Sequence, residues 1–112
     1  MLEKTDLGLV LTTAARQRIQ SRLSEPGFEE KIPALMLEET SPDTLTWRVT
    51  YYDKESVASA EFKALLLNSG GLELIVPQWN FADVIRDGTL DWTGTAFTVN
   101  GKSEVQVRRV RK

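Results

Sequence analysis

The amino-acid sequence predicts a single α+β domain that is rich in strands. The chain has 112 residues, one amphipathic helical pattern near its start, and several short alternating apolar runs separated by turn signals. At this length a chain can bury one core without disulfides or metals, and it is too short for two independent cores. Because the apolar fraction of 41% and the charged fraction of 27% are ordinary for a globular protein, we expect residues 1–112 to form one domain.

The segment "LVLTTAARQRIQSRL" predicts a short strand followed by a helix. Leu9–Leu11 is apolar, and Thr12 and Thr13 are N-cap candidates for a helix that ends at about Leu23. The predicted buried stripe repeats every four residues: Ala15, Ile19 and Leu23. The residues expected to face water are Arg16, Gln20 and Arg22.

The middle of the chain predicts strands. Ile32–Glu38 is a predicted strand in which Pro33 requires a place near an edge or among the first residues. Leu45–Tyr52 alternates apolar and polar residues and therefore predicts a half-buried strand. "FKALLLNSGGLELIVP" predicts a hairpin that turns at "NSGG". A helix over residues 62–67 is the alternative, because a short apolar run does not determine its own period.

The segment from Pro77 onward predicts a short helix and then a second hairpin. "PQWNFADVIRDG" allows one or two helical turns near residues 78–86, with Gly88 in a left-handed C-terminal conformation. The side chains expected to face the core are Trp79, Ala82 and either Val84 or Ile85. Gly94 indicates a bulge or tight bend, and Asn100-Gly101 is a strong hairpin signal. The following "KSEVQV" is expected to pair back across that hairpin.

The composition argues against most catalytic and metal chemistry. Cysteine and histidine are absent, which excludes thiolate nucleophiles, disulfides, Ser-His catalysis and Cys/His metal sites. Only oxygen ligands remain, and these suit magnesium, calcium or manganese. The acids at intervals of four are Asp83, Asp87 and Asp91. Gly88 interrupts any helix that would align them, and their spacing is not that of a calcium loop. Because catalytic acids also need convergent partners, which the sequence does not identify, we predict no catalytic residue, no cofactor and no metal site. A small enzyme with an oxygen-ligated metal is kept as an alternative hypothesis.

Charge is unevenly distributed along the chain. Residues 102–112, the basic tail, hold five basic residues and one acidic residue, which gives a charge of +4. Because the net charge of the whole chain is −2, the first 101 residues carry a charge of −6. The tail residues predicted to contact a partner are Arg108, Arg109, Arg111 and Lys112. They could hold an anionic ligand or a nucleic acid. A solvated end that protects an edge strand is the favoured interpretation, because no aromatic residue is interleaved with these charges.

The aromatic residues in the strands are predicted to be core residues. Trp47, Trp92 and Phe97 occupy the apolar phase of amphipathic strands, which favours burial over a base-stacking surface. The sequence has no basic leader before an apolar run and no apolar segment near the roughly 20 residues that span a bilayer. We therefore expect a cytoplasmic protein without a membrane span.

Taken in order, these elements resemble the HesB-like domain of the A-type iron-sulfur cluster carriers, the IscA family. "LVLTTAARQRIQSRL" resembles the family's opening strand, its "LT-x-x-A" and its first helix. "GGLELIVPQWNFADVIRDGTLDWTGTAFTVN" resembles its Gly-Gly turn, apolar strand, short helix, glycine bend and closing strand. The matching residues are Gly70, Gly71, Val76, Gly88, Leu90, Asp91, Trp92, Gly94, Phe97, Val99 and Asn100. The resemblance covers about residues 8–101. It implies a domain of about seven strands, one N-terminal helix and a short helix near residues 78–86.

The resemblance also implies a cluster site that this chain lacks. Family members hold iron or an iron-sulfur cluster on three cysteines, often across a homodimer. Laid without gaps, the first of those positions falls at Pro42 and the tail pair falls near Arg108 and Val110. No oxygen ligand replaces a soft thiolate at comparable affinity. We expect a non-enzymatic protein-interaction or accessory module that carries no cluster. The fold resemblance implies cluster-assembly or redox proteins as partners, and an uncovered sheet edge would allow a homodimer.

Overall fold

The protein contains two β-sheets. Its structure is a computed structural model, which describes residues 2–77 and 82–106. The nine strands of this part of the chain are β1 (Leu2–Lys4), β2 (Val10–Leu11), β3 (Lys31–Ser41), β4 (Thr44–Asp53), β5 (Ala64–Ser69), β6 (Leu72–Val76), β7 (Thr89–Trp92), β8 (Phe97–Val99) and β9 (Glu104–Gln106). Its three helices are α1 (Thr13–Leu23), α2 (Lys54–Val57) and α3 (Ala82–Ile85). The predicted strand-rich α+β class is confirmed.

The larger sheet has six strands in the order β1-β5-β6-β3-β4-β9. Its centre is the long antiparallel hairpin of β3 and β4, in which Lys31 lies opposite Asp53. Pro33 is the third residue of β3, among the first residues as predicted. The β5–β6 hairpin turns at Gly70 and Gly71, both at positive φ. The predicted hairpin is therefore confirmed, and the alternative helix over residues 62–67 is wrong.

The smaller sheet has three strands in the order β2-β7-β8. Strand β2 runs parallel to β7, and β7 forms an antiparallel hairpin with β8 in which Trp92 faces Phe97 across the turn. Gly94, with φ of 103°, lies in that turn. Asn100 and Gly101 have φ values of 54° and 81°, the pair of positive values that a type I′ turn requires.

Helix α1 begins where its capping signal places it. Thr12 is the N-cap, and its Oγ1 accepts a hydrogen bond from the Ala15 backbone N–H at 3.2 Å. The same hydroxyl donates to Asp91 Oδ1 at 2.6 Å. Ala15 and Ile19 are fully buried and Leu23 packs at the margin of the core, so the predicted stripe is confirmed. Thr12 thereby joins the start of α1 to β7.

The core has two parts, one on each face of the larger sheet. The main cluster joins α1, both sheets and α3, and its most deeply buried side chains include Ile19, Leu35, Leu74, Ile85 and Leu90. The second, smaller cluster lies around Ile32, Ala34, Val57, Ala64 and Ile75. Helix α2, which supplies Val57, covers part of this second cluster.

Several expectations about the C-terminal third are wrong. Strand β9 does not return across the preceding hairpin; it pairs antiparallel with β4 in the larger sheet, with Val105 opposite Leu45. Among residues 2–77 and 82–106, one bridge, from Val99 to Lys102, follows the predicted path. The left-handed residue after α3 is Asp87, with φ of 55°, rather than Gly88.

The short helix and the element count also differ from expectation. Helix α3 covers Ala82–Ile85, and residues 78–81 of the predicted helix, including Trp79, lie outside the described residues. Ile85 is buried, whereas Val84 is exposed, which settles the inward residue. Nine strands in the described residues exceed the seven implied, because β1 and other three-residue or shorter strands carry little sequence signal. Helix α2 was not predicted.

Candidate functional site

A groove lies between strands β4 and β9 of the larger sheet and the end of the smaller sheet. Its volume is about 430 Å³. Its apolar lining residues are Trp47, Val84, Val99 and Val105. Lys102 and Glu104 are its charged lining residues. Asn100 and Gln106 complete the lining, so that half of its residues are polar. We call these eight residues the β9 groove, and a cavity of this size that combines apolar and polar groups is suited to hold part of a ligand.

The turn at Asn100 and Gly101 creates this groove by sending the chain from one sheet to the other. Beyond that turn, the Trp47 backbone N–H donates to the Ser103 carbonyl at 3.0 Å, and Val105 then lies opposite Leu45. The groove therefore has one wall from each sheet. Val84 of α3, which lines the groove, is 41% exposed.

A second surface combines arginine and aromatic side chains beside α1. The Arg18 guanidinium carbon lies 4.8 Å from the centroid of the Trp92 ring, and that of Arg22 lies 5.6 Å from the Phe28 ring. Phe28 packs edge to face on Tyr51, with centroids 5.5 Å apart. We call these five residues the arginine–aromatic patch. All five are partly exposed, so the patch is accessible to a ligand.

Tyr51 is held in its protonated form within this patch. Burial of the phenol raises the pKa of Tyr51 above its usual value of 10.0, and the positive charges of Arg22 and Arg18 only partly oppose that effect. Desolvation disfavours the phenolate, whereas a nearby cation favours it. At neutral pH the Tyr51 side chain is therefore a neutral hydroxyl that can donate a hydrogen bond beside two guanidinium groups.

The carboxylates that the sequence singled out have structural contacts. Asp91 accepts from the Thr12 hydroxyl at 2.6 Å and from the Trp92 backbone N–H at 2.8 Å. Asp83 lies 3.4 Å from Arg86. Across residues 2–77 and 82–106, no group of three histidine, cysteine, aspartate or glutamate side chains is arranged to hold a metal ion. These carboxylates therefore supply helix capping and surface ion pairs.

The tail residues predicted to contact a partner cannot be placed on either surface. Arg108, Arg109, Arg111 and Lys112 lie outside the described residues, as does Val110. Pro42, the other position aligned with a family cysteine, lies in the turn between β3 and β4.

Neither surface was predicted from the sequence, and the reason is the same for both. Trp47 and Val105 are far apart in the chain, and so are Arg18 and Trp92, so no local pattern connects them. One available signal was the composition of α1, whose eleven residues hold three arginines and no acid.

The predicted placement of the aromatics is partly confirmed: Trp47 and Phe97 are buried, and Trp92 is half-buried against the core.

No helix in the described part of the chain combines the length and apolar character needed to cross a membrane. Comparisons with models of known protein families, with curated proteins and with solved structures returned no match.

Proposed function

We propose that this chain is a non-enzymatic protein-interaction module with a HesB-like fold, which receives an extended segment of a partner protein in the β9 groove. The observation that carries this proposal is the groove itself, a space of about 430 Å³ lined by four apolar and four polar residues, with the exposed Val84 among the apolar ones. Exposed apolar surface bordered by charged groups is characteristic of interaction sites.

The order of elements supports the HesB-like part of the proposal. A short strand leads through Thr12 into α1, Gly70 and Gly71 form a hairpin turn, and a short helix precedes the β7–β8 hairpin. This is the succession that the family resemblance implies. A comparison of this fold with a HesB-like domain can also use the nine described strands and the pairing of β9 with β4.

The composition supports the absence of a cluster from this module. The chain contains no cysteine and no histidine, and iron-sulfur clusters depend on thiolate or imidazole ligands. Anaerobic reconstitution with iron and sulfide should therefore give no stoichiometric visible absorbance that stays with the protein through gel filtration. Retention of a cluster on the purified chain would contradict this part of the proposal.

The partner segment that fits the groove has apolar side chains flanked by acidic residues. The apolar residues would contact Trp47, Val84 and Val105, which line the groove. The acidic residues match the positive charge of residues 107–112, which follow β9 in the sequence and hold four basic residues and no acidic one. Cluster-assembly and redox proteins remain the partner classes that the family resemblance implies.

Two exposed valines give a matched test of the groove. Val84→Asp places a charge in the apolar lining, while Val10→Asp places the same charge on β2, where Val10 is 58% exposed and does not line the groove. A charge buried without a partner opposes association, so a partner captured from lysate should be lost with Val84→Asp and kept with Val10→Asp. The captured protein is then purified and its direct binding to the three forms is measured.

Alternatives to a partner segment in the groove give different outcomes in this test. If Val84→Asp changes the elution volume of the purified protein, a second copy of this chain is the occupant and the proposed partner segment is wrong. If truncation after Gln106 abolishes capture while Val84→Asp does not, the tail alone binds, and the alternative of anionic-ligand or nucleic-acid binding replaces the proposal.

A further inference from the structure

The charge of α1 differs from that of the rest of residues 1–101. The helix holds Arg16, Arg18 and Arg22 and no acidic residue. Outside α1, the first 101 residues hold six basic and fifteen acidic residues, a charge of −9. Apart from the basic tail, the helix is therefore the basic part of an otherwise acidic sequence, and Coulomb attraction favours a short anion at α1 over the rest of residues 1–101.

Arg18 provides a charge that no carboxylate in the described residues neutralises. The ion pairs formed within these residues involve Arg22, Lys31, Arg48 and Arg86, while Arg18 contacts the Trp92 ring. A cation over an indole ring is attracted by the ring's electron-rich face and loses some of its conformational freedom. The guanidinium thus keeps its hydrogen-bond donors for an external acceptor while its position is restrained by Trp92.

Arg22 and Tyr51 place two more donors on the same surface. Arg22 lies over the Phe28 ring and pairs with Glu25 at 3.2 Å, in a contact between two exposed side chains. Such a surface ion pair is weak and exchanges readily with another carboxylate. Tyr51 packs edge to face on Phe28, with ring centroids 5.5 Å apart, and Arg22 lies over that same Phe28 ring, so Tyr51 belongs to the same surface as Arg22.

We propose that the arginine–aromatic patch binds a short acidic peptide segment, through carboxylate contacts with Arg18 and Arg22 and a hydrogen bond from Tyr51. A guanidinium group matches the two oxygens of a carboxylate with two parallel hydrogen bonds. This surface is separate from the β9 groove, so the proposal goes beyond the function assigned to that groove.

Two features favour a peptide over a nucleic acid. Single-stranded nucleic acids stack their bases on exposed aromatic faces, whereas here the Trp92 and Phe28 rings already have guanidinium groups over them. A nucleic acid also carries a continuous line of phosphates, which would extend beyond α1 onto the acidic rest of residues 1–101. A short acidic segment confines its charge to the width of the patch.

The test titrates the full-length protein with a capped hexaglutamate peptide and follows the Trp92 indole signal by two-dimensional NMR. Arg18→Gln should weaken binding about tenfold, the usual scale for losing a charge-assisted hydrogen bond. The matched control is Arg48→Gln, which removes the same charge from an exposed arginine of β4 outside the patch; it should change affinity by less than about twofold. Arg18→Lys should bind with intermediate strength, because it retains the charge and loses the planar donors.

Several results would overturn the proposal. Equal weakening by Arg18→Gln and Arg48→Gln would show a general charge effect rather than a site. Tighter binding of inorganic phosphate or a six-residue oligothymidylate at the same signals would show that the ligand is a phosphate. Absence of a Trp92 shift with hexaglutamate at millimolar concentration would show that the patch does not bind carboxylates. The spectrum of each variant also reports whether it is folded.

Discussion

Replacing Thr12 by alanine tests how strongly α1 is joined to the smaller sheet. The Thr12 hydroxyl both caps α1, through the Ala15 N–H at 3.2 Å, and donates to Asp91 at 2.6 Å. Loss of an N-cap costs about 1 kcal/mol of stability, and loss of a hydrogen bond to a carboxylate costs about 1.5 kcal/mol at the lower end of its range. The lower end applies because Asp91 keeps its bond from the Trp92 N–H at 2.8 Å.

We therefore expect Thr12→Ala to lower the free energy of unfolding by about 2.5 kcal/mol, which corresponds to a fall in Tm on the order of 10 °C for a domain of this size. Urea unfolding followed by tryptophan fluorescence measures it. Thr12→Ser keeps the hydroxyl and should remain within about 0.5 kcal/mol of wild type, as should Thr13→Ala at the neighbouring exposed position. The reasoning is refuted if Thr12→Ala matches wild type or if Thr13→Ala is equally destabilising.

Two further predictions concern the hairpin turn and Tyr51. Asn100→Ala should cost about 2 kcal/mol in urea unfolding, because alanine is strained at a φ of 54° and the Asn100 Oδ1 acceptor for the Thr89 N–H at 3.0 Å is lost. Asn100→Gly should cost about half as much, since glycine relieves the strain, and equal losses would contradict this explanation. Burial raises the pKa of Tyr51 in the folded protein above 10.0, so its contribution to stability is full below pH 10 and is lost as pH rises through the folded-state pKa. The urea midpoint of Tyr51→Phe should therefore decline less than that of wild type between pH 9 and pH 11.5, and parallel declines would count against it.

The elements predicted correctly are those whose signals are local. The start of α1 follows from a threonine cap followed by apolar residues at a spacing of four, and the cap geometry at Thr12 agrees. The turn at Asn100 and Gly101 follows from the tolerance of these two residues for positive φ. The long alternation in β4 predicts its half-buried face, on which Trp47 is buried.

The errors arise where distant parts of the chain decide the structure. Strand β9 has three residues, and its partner in β4 lies about sixty residues earlier, so alternation alone could not choose between the preceding hairpin and β4. Asp87 takes the left-handed conformation while its N–H donates to the Leu7 carbonyl at 2.7 Å. The following Gly88 has a different role, because a Cβ there would lie 3.0 Å from the Ile85 carbonyl oxygen.

The candidate surfaces depend on similar long-range contacts. The chain's lack of cysteine and histidine is evident from its composition and excludes the family's usual cluster ligands. The β9 groove could be predicted only with the knowledge that β9 crosses to the larger sheet. The arginine–aromatic patch required the approach of α1 to the β7–β8 hairpin, which the Thr12 to Asp91 hydrogen bond secures.

The most direct test of the proposed function is site-specific crosslinking at the β9 groove in living cells. A photoreactive amino acid replaces Val84 in one form and Val10 in another, because both side chains are exposed and only Val84 lines the groove. The account predicts a discrete adduct with one partner protein from position 84 and none from position 10. The same adducts from both positions, or no adduct from position 84, would contradict the claim that this groove receives a partner.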